Sequence, residues 1–469
     1  MSSAYVILYP PQLASMASEL STALGAAALV CTADLQKCPS GSSDCVLLWD
    51  TFPGASTERD PNVKVLHTAL ADRDVILLMS QDDTSSAFAQ LSLLVYLQRF
   101  VVPKPKPEHA KRKWKDSVPS GEFEVRSVRS LRVVIPWYRY CQMERTCRWT
   151  RAPDGAAKPW DNSVADGAWL DVPTAHTYAA LLSADPMPPP PGATAVPPPP
   201  PKQLLLIDLH DDLNGKPLLE ASLAGAKRWA NPPRDYDVVT GLGTYFASAL
   251  SHFLRSSLFR ATLPSVSSAF VVFPDVGAYR RFGKMVEACL EGLPTDQILF
   301  IEKSRVGTQV SQSETLNYIA ADGTQKARES IPAGSQVLIP DDFTNSGSTL
   351  FGGATIVRKK MGGGGGGGKG SVAAFVSHFV AKYERAVVDK FVAKLYGEGG
   401  EASDLDAFFC TDSVACSVAW LEAGVAQRVA AQKPRLAHVF SCAPVIAEWV
   451  ASSSNDSSAA SPAACLPVS

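Results

Sequence analysis

The stretch Val337-Leu338-Ile339-Pro340-Asp341-Asp342-Phe343-Thr344-Asn345-Ser346-Gly347-Ser348-Thr349 decides how this chain is read. It has the pattern of a buried strand that ends in two adjacent carboxylates, then a short small-residue loop, then a helix from about Thr349 to Lys360. Paired acids at the carboxyl end of a strand can grip vicinal ribose hydroxyls or a hydrated Mg²⁺. Loop amides and Ser/Thr hydroxyls at a helix N-terminus supply donors and positive dipole for a phosphate. In open α/β sheets, ligands bind at this end of the strands. The same residues also fit an ordinary turn followed by a helix N-cap, and the segment alone does not choose between them.

Outward from this segment, apolar strand-like runs alternate with helical patterns along most of the 469 residues. Examples are Tyr5–Leu8, Val75–Met79, Leu131–Trp137, Leu204–Leu209, Ala269–Phe273, Ile298–Ile301 and Val372–Val376. Such alternation predicts parallel sheets covered on both faces by helices. About a dozen strands exceed one comfortable sheet, so the expectation is an α/β protein of two Rossmann-like domains, each a mainly parallel sheet flanked by helices. The expected boundaries are 1–185 for the first domain, a proline-dominated spacer at 186–203, and 204–451 for the second. A glycine run at 362–368 interrupts the second domain, and a Ser/Ala-rich tail covers 452–469.

Bulk properties exclude several classes. A hydrophobic content of 46% with 19% charged residues describes a globular chain. A net charge of −2 gives no reason to invoke nucleic acid. No run reaches the ~20 apolar residues of a membrane span. Ten cysteines occur without C-x-x-C pairs, so neither a zinc site nor a disulfide framework is expected, and the default location is cytoplasmic. Cys289 and Cys410 lie in apolar periodic segments and read as core residues.

Four further strand ends carry chemistry. Leu204–Ile207 runs into Asp208-Leu209-His210, and Val272-Phe273-Pro274 into Asp275-Val276-Gly277 with Arg280 and Arg281 beyond. Ile301-Glu302 runs into Lys303-Ser304-Arg305 and a long polar loop, 306–317, while Phe375-Val376 ends in Ser377-His378. In this order, together with Asp341-Asp342, they resemble the catalytic half of the ribose-phosphate diphosphokinases, the phosphoribosyl pyrophosphate (PRPP) synthetases. The resemblance runs from about Leu131 to Phe440 and is nearest to the divergent plant-type class II, which is similar at Met143-Glu144-Arg145 and Thr411-Asp412-Ser413.

That resemblance implies a phosphoribosyltransferase-like fold and transfer of pyrophosphate from ATP to the 1-hydroxyl of ribose 5-phosphate, with Mg²⁺ as cofactor. It implies His210 and Asp275 as metal ligands, and Lys303 and Arg305 as the catalytic cations on the migrating group. Asp341 and Asp342 would bind the ribose hydroxyls, Thr344, Asn345, Ser346, Gly347, Ser348 and Thr349 the 5-phosphate, and Glu144 and Arg145 the ATP. It also implies a homo-oligomer, or a hetero-oligomer with other PRPP synthetase subunits, with no nucleic-acid or membrane partner.

The sequence departs from the family in four places. The adenine-reaching segment is replaced by Cys31-Thr32-Ala33-Asp34-Leu35-Gln36, and the usual Arg-Gln-Asp-Arg by Cys141-Gln142-Met143-Glu144-Arg145. Asn345 replaces a common acid, and Phe379 stands where glycine is usual. The alternatives are therefore an impaired regulatory or scaffold subunit, and a nucleobase phosphoribosyltransferase sharing only the Asp-Asp loop.

Overall fold

The computed structural model describes residues 5–25, 28–37, 43–48, 70–82, 84–105, 119–141, 149–151, 157–159, 174–193, 195–210, 243–262, 266–306, 309–361, 370–398 and 402–454. The chain divides into two compact units, Met1–Tyr245 and Phe246–Ser469. Both are α/β, and each is built on a mainly parallel sheet, as the alternating pattern predicts.

The strands of the first unit are β1 (Tyr5–Tyr9), β2 (Ala28–Lys37), β3 (Ser43–Leu48), β4 (Asp74–Leu78), β5 (Phe100–Pro105), β6 (Pro119–Arg126), β7 (Ser130–Ile135), β8 (Trp149–Arg151), β9 (Ala157–Pro159), β10 (Lys202–Ile207) and β11 (Gly243–Ala247). Seven form one sheet in the order β11-β10-β7-β4-β1-β2-β3, while β5-β6 and β8-β9 are separate antiparallel ribbons. The helices here are α1 (Ala14–Ala23), α2 (Thr84–Gln98) and α3 (Thr174–Leu182).

One expected boundary moves. The sequence pattern places Leu204–Leu209 in the second domain, yet β10 pairs in parallel with β7, Leu204 opposite Val133. The proline-rich stretch thus leads from α3 into another strand of the same sheet, and the division falls at Tyr245. Proline content marks an extended connection, and such a connection can lie within a domain as readily as between two.

The second unit contains β12 (Ala269–Phe273), β13 (Ile298–Val306), β14 (Gln309–Ile319), β15 (Gln325–Arg328), β16 (Gln336–Thr344), β17 (Ser371–Phe379), β18 (Ala407–Thr411) and β19 (Ala437–Phe440). Its sheet has the order β15-β14-β13-β12-β16-β17-β18-β19. The six strands from β13 to β19 are parallel, and β14 and β15 extend the β13 edge antiparallel. The helices are α4 (Ala249–Arg255), α5 (Ser257–Thr262), α6 (Val276–Cys289), α7 (Ser348–Met361), α8 (Arg385–Leu395), α9 (Ala415–Ala430) and α10 (Ala443–Ser454).

Both faces of this sheet are covered, which is why β12 is buried at every position and reads as a continuous apolar run. On one face, Leu350, Phe351, Ala354 and Val357 of α7 and Val388, Phe391 and Val392 of α8 pack on Val337, Ile339, Ala374 and Val376. On the other, Phe253 of α4 stacks on Phe375 at 4.4 Å and meets Phe409 at 5.0 Å. Tyr279 of α6 contacts Phe300 at 4.9 Å, and Ser248 ahead of α4 reaches Met285 of α6. Cys289 and Cys410 are buried, as expected, and they are free thiols, as are Cys141, Cys416 and Cys442. Among the described residues, no helix is long and apolar enough to cross a membrane.

The polar segment 306–317, expected as a long loop, is a second difference. Apart from Gly307 and Thr308, which lie outside the described residues, it belongs to the β13–β14 hairpin, in which Lys303 pairs with Gln312 and Arg305 with Val310. Polar character misleads here because backbone pairing in a hairpin does not require apolar side chains.

The chain passes from β12 to β13 on one side of β12, then returns to β16 on the other. The carboxyl ends of β12 and β16 therefore flank a topological switch point, the crevice where open α/β sheets bind ligands.

Candidate functional site

At this switch point β12 delivers Asp275, and β16 delivers Asp341 and Asp342. Asp275 is the N-cap of α6: its backbone is extended and its carboxylate accepts the Ala278 amide at 2.9 Å. About one turn further along α6, Arg281 reaches across to β16 and forms an ion pair with Asp342. Their side chains are 9% and 3% exposed. Asp341, half-buried, accepts the Asp342 amide at 3.0 Å. Burial pushes the Asp341 carboxyl well above the usual carboxylate range, the neighbouring Asp342 and Asp275 add to it, and Arg281 only partly offsets them.

Among these four groups, three carboxylates face one guanidinium, so negative charge outweighs positive. A cation would relieve it, and hard carboxylate oxygens suit Mg²⁺. Among the described residues, no group of three or more His, Cys, Asp or Glu is arranged to hold a metal alone. This donor set fits a Mg²⁺ that takes one or two carboxylates and its remaining ligands from a bound phosphate and water.

The loop after β16 is short. β16 runs through Thr344, one residue pairing with Phe379, and α7 begins at Ser348, leaving Asn345-Ser346-Gly347 between them. Gly347 has φ +76°, and a Cβ there would lie 2.6 Å from Cε2 of Phe391, so glycine is required twice over. Phe391 is itself wedged between Phe351 and Phe379. The aromatic core below therefore fixes the loop above. Ser346 and Ser348 are exposed, and their hydroxyls lie 3.3 Å apart at the N-terminus of the 14-residue α7. Thr344 is buried within the strand.

Beside this loop runs the turn after β17. Ala381, Lys382 and Tyr383 have φ of 47°, 54° and 56°, three successive left-handed residues and none of them glycine. Each such residue costs about 1–2 kcal/mol, so the surroundings must hold the turn. Val380 N–H donates to Thr344 O at 3.0 Å, Lys382 N–H to Asn345 Oδ1 at 3.2 Å, and Ser417 Oγ to Val380 O at 2.7 Å. One of these bonds ties the turn to the loop, and one ties it to the end of β16.

His378 is fully buried at the end of β17, with Nδ1 2.8 Å from Ser413 Oγ. Ser413 and Thr411 both donate to Ser377 O. Asp412 accepts the Cys442 amide at 2.8 Å just ahead of α10. The segment Thr411-Asp412-Ser413 thus joins strand ends and caps a helix.

Lys303 and Arg305 fall within the paired part of β13; their side chains lie outside the described residues, as do Glu144 and Arg145 entirely. His210 follows β10 in the first unit, after Asp208 at φ 40°, and so is not in the sheet that carries Asp275. Arg281 was legible in sequence only as one of two adjacent cations opening a helix. Helical spacing from Asp275 carries the useful information, because an N-cap residue at a strand end directs the next turn of the helix over the neighbouring strand.

Two outcomes test this geometry. Arg281→Met leaves a buried carboxylate unpaired and should lower the unfolding free energy by about 3 kcal/mol in urea denaturation. Adding Asp342→Leu should recover most of that loss, whereas additive single effects would show the pair to be uncoupled. Asp341 has a raised pKa in the fold, so its ionised form opposes folding above that value, and the penalty disappears as pH falls towards the unfolded carboxylate range. Asp341→Asn should therefore raise Tm at neutral pH by about 2–4 °C, and the gain should vanish below about pH 4.

Comparison with known proteins gives one kind of likeness. No family model matches the chain, and no curated protein matches it. Among solved structures, phosphoribosylpyrophosphate synthetase from Mycobacterium smegmatis is similar, with a TM-score of 0.48 and 13% identity, over 96% of this chain and 99% of that one.

Proposed function

We propose that this chain is a ribose-phosphate diphosphokinase of the phosphoribosyltransferase-like type, forming PRPP and AMP from ribose 5-phosphate and ATP. The observation that carries this reading is the meeting of Asp275, Asp341 and the Asn345–Ser348 loop at the β12–β16 switch point. The order of strand-end motifs in the sequence supports it independently.

In this reading the hydroxyls of Ser346, Ser348 and Thr349, with the loop amides and the positive end of α7, receive the 5-phosphate. Asp341 holds the ribose hydroxyls. Asp342, bound to Arg281, fixes β16 against α6 and so sets where Asp341 sits. Mg²⁺ would be held by Asp275 and the substrate's own phosphates; when bound, it would neutralise charge on the transferring group. Such transfers depend on alignment and charge neutralisation more than on covalent help. Lys303 and Arg305 belong to the strand beside β12, and their role is to meet the negative charge that moves from ATP to the sugar. Arginine contributes a fork of donors and lysine a point charge.

The test is product analysis with purified protein, Mg-ATP and ribose 5-phosphate. AMP and PRPP should form in equal amounts, and Arg305→Ala and Asp275→Ala should each reduce kcat by about 100-fold or more. Tight ribose 5-phosphate binding with no AMP formed would support the regulatory-subunit reading. Absence of both binding and turnover would refute the proposal.

A further inference from the structure

The loop read as the 5-phosphate site carries no cation: Asn345, Ser346, Gly347, Ser348 and Thr349 are all neutral. The adjoining turn supplies one. Lys382 is the central residue of the three left-handed positions, and its own backbone amide is bonded to Asn345 of the loop at 3.2 Å. Its side chain is exposed, and among the described residues its ammonium makes no ion pair. The flexible four-carbon stem lets the ammonium move over the neighbouring loop.

The identity of residue 345 matters to this arrangement. An aspartate there would offer Lys382 a carboxylate and hold its charge. Asparagine anchors the same turn through a neutral carboxamide oxygen, and the ammonium stays available for an external anion. The placement of Lys382 is built in. Val380 is bonded to Thr344 on one side and to Ser417 on the other, so the turn is braced against both β16 and α9. Unusual backbone conformations that survive in a folded chain are held by their surroundings and concentrate at ligand sites.

We infer that Lys382 contacts the phosphate of the bound ligand and makes this site selective for a phosphorylated sugar over the free sugar. This rests on the reading of the loop as a ribose 5-phosphate site, and it adds a residue and a selectivity to that reading.

The experiment is calorimetric titration of the full-length protein with ribose 5-phosphate and, separately, with ribose. It uses the unmodified protein, Lys382→Ala and Lys382→Arg. Loss of one charge-assisted contact should weaken ribose 5-phosphate binding about tenfold in the alanine variant. Ribose affinity should be unchanged, and the salt sensitivity of ribose 5-phosphate binding should fall. The arginine variant should bind ribose 5-phosphate within about threefold of the unmodified protein, because the charge is retained. If the alanine variant binds ribose 5-phosphate as tightly as the unmodified protein, Lys382 has no such role. If the unmodified protein itself binds ribose 5-phosphate no better than ribose, the reading of the loop fails as well. The side chain is exposed and alanine tolerates the same backbone as lysine, so an unchanged Tm in each variant separates lost contact from lost fold.

Discussion

The ion pair between Arg281 and Asp342 is the constraint around which the second unit's strand ends are arranged. It spans from the first helix after β12 to the C-terminal part of β16, across the switch point between these two strands. Two buried charges are expensive to remove from water, and either alone would be worse. The pair therefore ties α6 to β16, and removing either partner alone would leave a buried charge. That fixed spacing holds Asp275 and Asp341 close enough for each to feel the other's charge. The strand ends gather three carboxylates about one guanidinium, a balance that favours an arriving cation.

A second constraint comes from below. Gly347 is pinned by Phe391, which sits in a group of aromatic rings that also includes Phe351, Phe379 and Phe408. Phe379 belongs to this group, which gives a physical reason for a large residue where the resembled family has glycine. The same strand end that supplies Phe379 continues into the left-handed turn and its lysine. The core, the loop and the turn are thus one packed object, and a change in the aromatic layer would be felt at the loop surface.

Much of this was legible in the sequence, for identifiable reasons. The run from Val337 to Thr349 combines a buried strand, an acid pair and a helix start, and the structure has all three. The strand Leu204–Ile207 was equally legible, but its membership was not, because pairing with β7 is a long-range fact that a proline-rich spacer conceals. The hairpin partner of Lys303 and Arg305 has the sequence pattern of a loop because its residues are polar and show little periodicity. Arg281 is marked in the sequence only by its helical spacing from Asp275, and Lys382 by no local pattern, because its importance depends on which strand end lies beside it.

The central claim is that the carboxyl ends of β12 and β16, with the turn after β17, receive a sugar phosphate. Amide hydrogen exchange on the full-length protein, with and without ribose 5-phosphate, tests it most directly. The account predicts slowed exchange at residues 345–349 and 380–383, together, with little change at the far edge of the sheet in 325–328. Slowed exchange confined to other segments, or none at these two while ribose 5-phosphate is bound, would contradict it.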